Sequence, residues 1–302
     1  MLPLRKWIGL SILILFSVGA CAHREIQPPS PPPTPPPLPK PAKIALVLGA
    51  GAAKGFAHIG VLKILEAHKI PIHMIVGTSA GSFVGSFYAY GFSAFELQTI
   101  ALSVEKGDIV DFIIPDNGFI QGIKLAEYVN KTLKNTPLEK LNIPFYAVAT
   151  DIQSGQEVVF GRGNTGAAVR ASCSVPGVFR PVKIGDRTYV DGGVVSPVGV
   201  DAAKRYGADM VIAVDISTDV GSAKPESTID TILQSINIMY FQLARIQCSR
   251  ADVVIKPKVG HIGSSDFSKR HEAILEGEKA AADAIPKIQE FLEKLRQEGK
   301  LN

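Results

Sequence analysis

Cysteine is scarce in this chain of 302 residues: it occurs at Cys21, Cys173 and Cys248 and nowhere else. Spacings this wide match no structural zinc pattern, and within the body of the chain Cys173 and Cys248 are either free and buried or paired once. No dense Lys/Arg run accompanies the formal charge of +4, so the charge pattern gives no support to a nucleic-acid partner. Internal repeats are absent, which removes solenoid architectures. The apolar stretch at residues 7–20, WIGLSILILFSVGA, is too short for a comfortable membrane span.

What is present is the composition of a globular protein, with 46% hydrophobic residues, 20% charged residues and 28 glycines. Short apolar runs alternate with amphipathic stretches, which favours α/β over a helical bundle. The N-terminus stands apart from this pattern. Arg5 and Lys6 precede the apolar stretch, and Gly19 and Ala20 lead into Cys21. The string SVGAC resembles the lipobox of bacterial lipoproteins. That resemblance implies a signal peptide at 1–20, a diacylated Cys21 as the new N-terminus, and attachment to a membrane of the bacterial cell envelope. Ala22, in place of aspartate, implies the outer membrane, with the protein facing the periplasm. An ordinary secretory signal containing a cysteine is the alternative. The linker then runs to residue 42, and QPPSPPPTPPPLPKP within it can form neither helix nor central strand, because proline fixes φ and lacks an N–H. It is expected to extend as a polyproline II spacer at roughly 3.1 Å per residue, up to about 45 Å in all.

From residue 43 to 302 the pattern predicts one three-layer α/β/α domain with a mainly parallel central sheet. Strands are expected at 43–51, 71–77, 143–151, 156–160, 187–193, 209–216 and 251–257. Helices are expected at 52–70, 79–91, 93–106, 123–134, 198–206, 227–249 and 268–295. The opening order of strand, helix, strand, helix implies parallel pairing with right-handed crossovers.

Three short motifs carry candidate chemistry. In GTSAG, Gly77 and Gly81 flank Ser79 at the spacing of a nucleophile elbow, where a sharp strand-to-helix turn exposes a serine hydroxyl. The following helix directs its N-terminal dipole at that hydroxyl and favours negative charge there. The second motif, LGAGAAKGFAHIG, fails as a dinucleotide fingerprint because Lys54 stands where a third glycine is needed, and its Lys-Gly-Phe order fails as a phosphate-binding P-loop. What remains is a turn that exposes backbone N–H groups at Gly51, Ala52, Ala53 and Lys54, the geometry of an oxyanion hole, in which one donor is worth roughly 3 to 4 kcal/mol. In the third, YVDGGVVSP, Asp191 closes a strand ahead of Gly192 and Gly193. An Asp-Gly hairpin turn is the local alternative. As a base for serine, an ordinary carboxylate near pKa 4 is weak unless the site raises that value or uses the hydrogen bond for orientation.

These motifs, together with ASCSVPGVFRPV and in this order, resemble the patatin-like phospholipase family from Lys43 to about Pro257. The resemblance implies a patatin-like fold and a Ser79/Asp191 dyad, with the glycine-rich loop as oxyanion hole. It further implies hydrolysis of acyl esters in phospholipids, lysophospholipids or neutral lipids, without metal or organic cofactor. Many relatives carry three glycines, one residue and then arginine where this chain has Ala50, Gly51, Ala52, Ala53 and Lys54. A methyl group leaves each N–H free but makes glycine-only backbone angles costly.

Other readings remain beside this one. His261 follows Asp191 in the order of a Ser-Asp-His triad, although a surface-loop histidine is the simpler account and no histidine base is expected. Residues 107–122 mix apolar clusters with turn residues; a buried connection is the simpler reading, an apolar lip for an acyl chain the other. An envelope lipoprotein that binds lipid or protein on a hydrolase-like fold without turnover is the non-enzymatic alternative.

Overall fold

The strands are short, apolar and bounded by turns, and in the computed structural model they assemble as β1 (Ile44–Leu48), β2 (Met74–Thr78), β3 (Phe145–Asp151), β4 (Glu157–Phe160), β5 (Val182–Ile184), β6 (Arg187–Asp191), β7 (Met210–Val214) and β8 (Val253–Ile255). The structure describes residues 40–112, 118–217 and 227–301. The signal-peptide, Cys21 and proline-rich linker readings lie outside these residues, save for the last three positions of the linker.

The sheet order is β5-β6-β3-β2-β1-β7-β8, with β4 also pairing with β3. Pairings among β3, β2, β1, β7 and β8 are parallel, and those of β4, β5 and β6 are antiparallel. The sheet is therefore mixed and mostly parallel, as expected. Side chains alternate across it with the strand period of two. Ile44, Leu46 and Leu48 of β1, with Ile75, Met210, Ile212 and Val214, enter the larger core on one face. Ala45 and Val47, with Val76, Val211 and Ala213, enter the smaller core on the other.

Helices cover both faces. The larger core is closed by α1 (Phe56–Ala67), α2 (Ala80–Tyr90), α3 (Ala94–Ser103), α5 (Ile123–Thr132), α6 (Thr165–Ser172) and α9 (Arg270–Gln297), and a single short turn, α4 (Lys106–Ile109), lies between α3 and α5. The smaller core is closed by α7 (Val200–Arg205) and α8 (Thr228–Cys248), which bury Val200, Ala202, Ala203, Ala244 and Cys248. Each fully buried Leu or Ile contributes on the order of 1.5–3 kcal/mol, so Leu62 and Leu65 alone fasten α1 firmly into the larger core. Both body cysteines are free, which closes the disulfide alternative.

Two elements differ from expectation. Strand β5 and helix α6 carry no clear periodicity: β5 spans three residues, and α6 reads TGAAVRAS, mostly small side chains. Helix α6 forms because Asn164 caps it, its side chain accepting from the Ala167 N–H at 2.8 Å, and because Val169 and Ala171 are buried. The described residues of the 107–122 segment, 107–112 and 118–122, are not a buried connection. Phe112 is 80% exposed and Phe119 39% exposed, while Phe112 bridges Ile120 and Ile120 bridges Phe179, which forms a flap against the 174–182 block.

Candidate active site

Parallel register brings the first two motifs to one edge of the sheet. Leu48 pairs with Gly77 and with Val214, so the loops that follow β1, β2 and β7 emerge side by side. The loop after β1 is glycine-rich, and the residue after β2 is Ser79.

Ser79 sits at φ 54°, ψ −123°, a region that costs a non-glycine residue of order 1–3 kcal/mol. The turn is tight enough to demand both flanking glycines. A Cβ on Gly81 would lie 2.0 Å from the Leu48 carbonyl oxygen, and one on Gly77 would lie 2.5 Å from Ser82 Cα. Two contacts hold the strained residue in place. Its N–H donates to Ser172 Oγ at 2.9 Å, and Ser172 Oγ donates in turn to the Val148 carbonyl of β3 at 2.6 Å. The N–H groups of Ser82 and Phe83 turn back to the Ser79 carbonyl, which starts α2 directly after Ser79.

Asp191 is fully buried at the end of β6, paired across the sheet with Ala149 of β3. It is followed by a 3-10 turn at Gly192–Val194, not by a hairpin, and its Oδ1 accepts from the Gly193 N–H at 2.7 Å. Oδ1 also accepts from the Tyr240 hydroxyl of α8 at 3.1 Å. Oδ2 has no hydrogen-bond partner among the described residues. Burial raises the carboxyl to about 6, against the opposing pull of Ser79, Gly193 and Tyr240. The Ser79 hydroxyl is therefore one of three groups that favour the ionised carboxylate, and the only one of them not assigned to Oδ1 by a close contact.

The glycine-rich loop forms a 3-10 turn at Ala52–Gly55. Ala52 adopts φ 52°, the left-handed conformation in which glycine would be unstrained. Of the four expected donors, two are already engaged: the Ala53 N–H bonds the Ser264 carbonyl at 3.1 Å and the Lys54 N–H bonds that of Gly51 at 3.1 Å. Of these four N–H groups, those of Gly51 and Ala52 are left without a backbone acceptor among the described residues, and Ala80 at the start of α2 packs against Gly55 of the same turn. The Lys54 side chain is buried, and that burial lowers its ammonium to about 8 while Asp215 acts in the opposite sense. His58, one turn further, is buried and pushed down to about 4, so it is neutral, and its Nε2–H donates to the Gly49 carbonyl at 2.9 Å. His261 is remote in role: it is exposed and pairs with Glu272 of α9.

Residues 46–204, slightly more than half of the chain, match the patatin-like phospholipase family. The chain belongs to that family. An uncharacterized NTE family protein of Mycobacterium tuberculosis is 35% identical over 200 residues, which are 65% of this chain and 55% of that protein. The human patatin-like phospholipase domain-containing protein 6 is 34% identical over 184 residues, 58% of this chain and 13% of the relative. Lysophospholipase NTE1 of Debaryomyces hansenii is 31% identical over 195 residues, 63% of this chain and 13% of the relative. The chain thus spans about half the length of the mycobacterial relative and a small part of the other two. Among solved structures, VipD from Legionella pneumophila superposes with a TM-score of 0.55 at 12% identity, covering 82% of this chain and 67% of that one, a likeness of fold.

Within this patatin-like frame, several residues around Ser79 and Asp191 have contacts that the motifs assign to none of them, although Ser172 and Cys173 stand in the ASCSVPGVFRPV block. Ser172 and Cys173 close α6, an element without a periodic signal, and Cys173 lies close enough to Ser82 for an Oγ–Sγ contact of 3.7 Å. Tyr240 sits 49 residues beyond Asp191 on a helix of the opposite layer. The one available sequence signal for Tyr240 was the second glycine of DGG: a Cβ on Gly193 would lie 2.3 Å from the Tyr240 ring.

Proposed function

We propose that this chain is a lipid acyl hydrolase that cleaves acyl esters of phospholipids or lysophospholipids through a Ser79/Asp191 dyad and an acyl-enzyme intermediate. The observations that carry this reading are a serine held at a strained strand-to-helix turn and a buried aspartate, favoured in its ionised form by that serine, whose Oδ2 has no hydrogen-bond partner among the described residues. Family membership supports the lipid substrate.

In the first half-reaction Asp191 takes the Ser79 proton as Oγ attacks the ester carbonyl carbon. The tetrahedral oxyanion is held by the N–H groups of Gly51 and Ala52, with Ala80 N–H as a further donor at the helix start. When the intermediate collapses, the C–O bond to the alcohol breaks and Asp191 returns the proton to the leaving alkoxide. Water then attacks the acyl-enzyme, Asp191 takes its proton, and the free fatty acid leaves as Ser79 recovers its hydrogen. A carboxyl raised to about 6 is a better base than an ordinary aspartate and is still largely ionised at neutral pH. No second base is required.

Exposed Phe112 and Phe119 on the flap, with Ile123 at the start of α5, are suited to an acyl chain or a lipid surface. On the lipoprotein reading, diacylated Cys21 would hold the domain against the envelope membrane and keep it beside its substrate. The test is incubation of the purified protein with phospholipid and lysophospholipid vesicles, followed by mass spectrometry of released fatty acid. Release that disappears with Ser79→Ala is expected. Unchanged lipids across pH 5 to 9 would favour a non-catalytic lipid or protein binder.

A further inference from the structure

The Asp191 carboxylate has two oxygens, and a serine proton can go to only one of them at a time. Rotation about the terminal torsion of aspartate is soft and nearly two-fold, so without further contacts either oxygen would face the nucleophile. Here the two oxygens are not equivalent. Oδ1 accepts from the Gly193 N–H at 2.7 Å and from the Tyr240 hydroxyl at 3.1 Å, and Oδ2 accepts from neither.

We propose that Tyr240 is a positioning residue: its hydroxyl and the Gly193 N–H together pin Oδ1, which fixes the carboxylate plane and leaves Oδ2 as the oxygen that receives the Ser79 proton. This role rests on the reading of Ser79 and Asp191 as the dyad.

Three further features support it. Tyr240 is itself buried, 8% exposed, on the face of α8 that closes the smaller core, so its ring is held by packing. Gly193 makes room for that ring, since a side chain there would lie 2.3, 2.4 and 2.8 Å from Cε2, Cζ and Oη. The second glycine of DGG thus serves the tyrosine as well as the turn. Finally, burial and the neighbouring Asp191 and Cys173 push the phenol well above its ordinary value, so the hydroxyl stays protonated and remains a donor throughout the working range. The groups that face Asp191 are Ser79 from the elbow, Cys173 from the end of α6, the Gly193 N–H from the 3-10 turn and Tyr240 from α8, and none of them carries a charge. A neutral hydrogen bond from Tyr240 therefore has no ionic competitor among the described residues.

The experiment compares wild type with Tyr240→Phe, which keeps the ring and deletes the hydroxyl, on a soluble short-chain ester across pH 4 to 9. Deleting a donor to the ionised carboxylate raises the pH at which Asp191 ionises, so the acid limb of kcat/KM should move to higher pH. On the plateau kcat should fall about tenfold or more with KM little changed, as expected for a misaligned base, since one lost factor of ten corresponds to about 1.4 kcal/mol. A merely structural tyrosine would leave the limb where it is. If Tyr240→Phe fails to fold, 3-fluorotyrosine at position 240 keeps the shape and strengthens the donor, and should move the limb to lower pH. A wild-type acid limb and kcat in Tyr240→Phe, or an unmoved limb with 3-fluorotyrosine, would overturn the role of Tyr240 alone. A wild type that hydrolyses no ester and takes no serine-directed phosphonate would overturn the dyad, and this role with it.

Discussion

Ser172 Oγ accepts a hydrogen bond from the Ser79 N–H at 2.9 Å and donates one to the Val148 carbonyl at 2.6 Å. One hydroxyl therefore ties the strained elbow to β3, its single donor and one of its two acceptor lone pairs both spent on buried backbone.

Replacing it removes an acceptor and a donor at once. Ser172→Ala leaves the Ser79 N–H and the Val148 carbonyl each short of this partner, at a cost of roughly 1–3 kcal/mol. The same change frees Ser79 to relax from φ 54°, which should lower kcat on a soluble ester by about tenfold or more. Urea unfolding and ester turnover measure the two effects separately. A loss below about 0.5 kcal/mol together with unchanged kcat would place the elbow's support elsewhere.

Asp191 should be a site where function costs stability. Its carboxyl is raised from 3.8 to about 6 in the fold, so between those pH values the native state binds more protons than the unfolded chain, and stability falls as pH rises. Above about pH 6 the full penalty is present, of order 3 kcal/mol, and below about 3.8 it is gone. Asp191→Asn keeps the shape without the charge. It should be inactive, more stable than wild type by about 1–3 kcal/mol at pH 7, and nearly equal to it at pH 4. Denaturant unfolding at the two pH values checks the sign.

His58 should show the opposite dependence. Its folded value is about 4 against 6.5 for the free side chain, so stability is fully present above pH 6.5 and is lost as pH falls toward 4, where the unfolded chain has already gained the proton. The two groups act in opposite senses over overlapping ranges. In Asp191→Asn, stability should consequently fall more steeply on acidification from pH 6.5 to 4 than in wild type, and the difference between the two curves measures the Asp191 contribution.

The flap makes a prediction about substrate form. Its base is fixed: Asp111 accepts from the N–H groups of Gly122 and Ile123 at 2.6 and 2.8 Å, and Arg170 donates to the Gln121 carbonyl at 2.8 Å. Phe112, at 80% exposure, is free to meet an apolar partner. Phe112→Asp should lower hydrolysis of vesicle phospholipid several-fold while leaving turnover of a soluble short-chain ester near wild type. Equal losses on both substrates would indicate that Phe112 supports the fold.

Local sequence was informative wherever a residue's role depends on near neighbours. Gly77, Ser79 and Gly81 form one turn, and their spacing is explained by the 2.0 and 2.5 Å approaches that any side chain would make there. The long apolar strands β1, β2, β3 and β7 were evident from their unbroken hydrophobic runs, as buried parallel strands require. Contacts made across the sheet were not legible. Tyr240 reaches Asp191 from a helix of the other layer, and Ser172 belongs to a helix of small residues whose stability comes from an Asn164 cap and burial. The glycine-rich loop is legible in the sequence as a set of four N–H groups, but not which of them are already engaged, because the acceptor at Ser264 lies more than 200 residues away.

The most direct measurement is intact-protein mass spectrometry after treatment with a serine-directed fluorophosphonate, with peptide mapping of the adduct. One adduct per chain is expected, located on Ser79, absent from Ser79→Ala, strongly reduced in Asp191→Asn, and with a labelling rate that rises as pH passes through about 6. No adduct on the folded wild type, or an adduct that persists unchanged in Ser79→Ala, would contradict the proposed nucleophile.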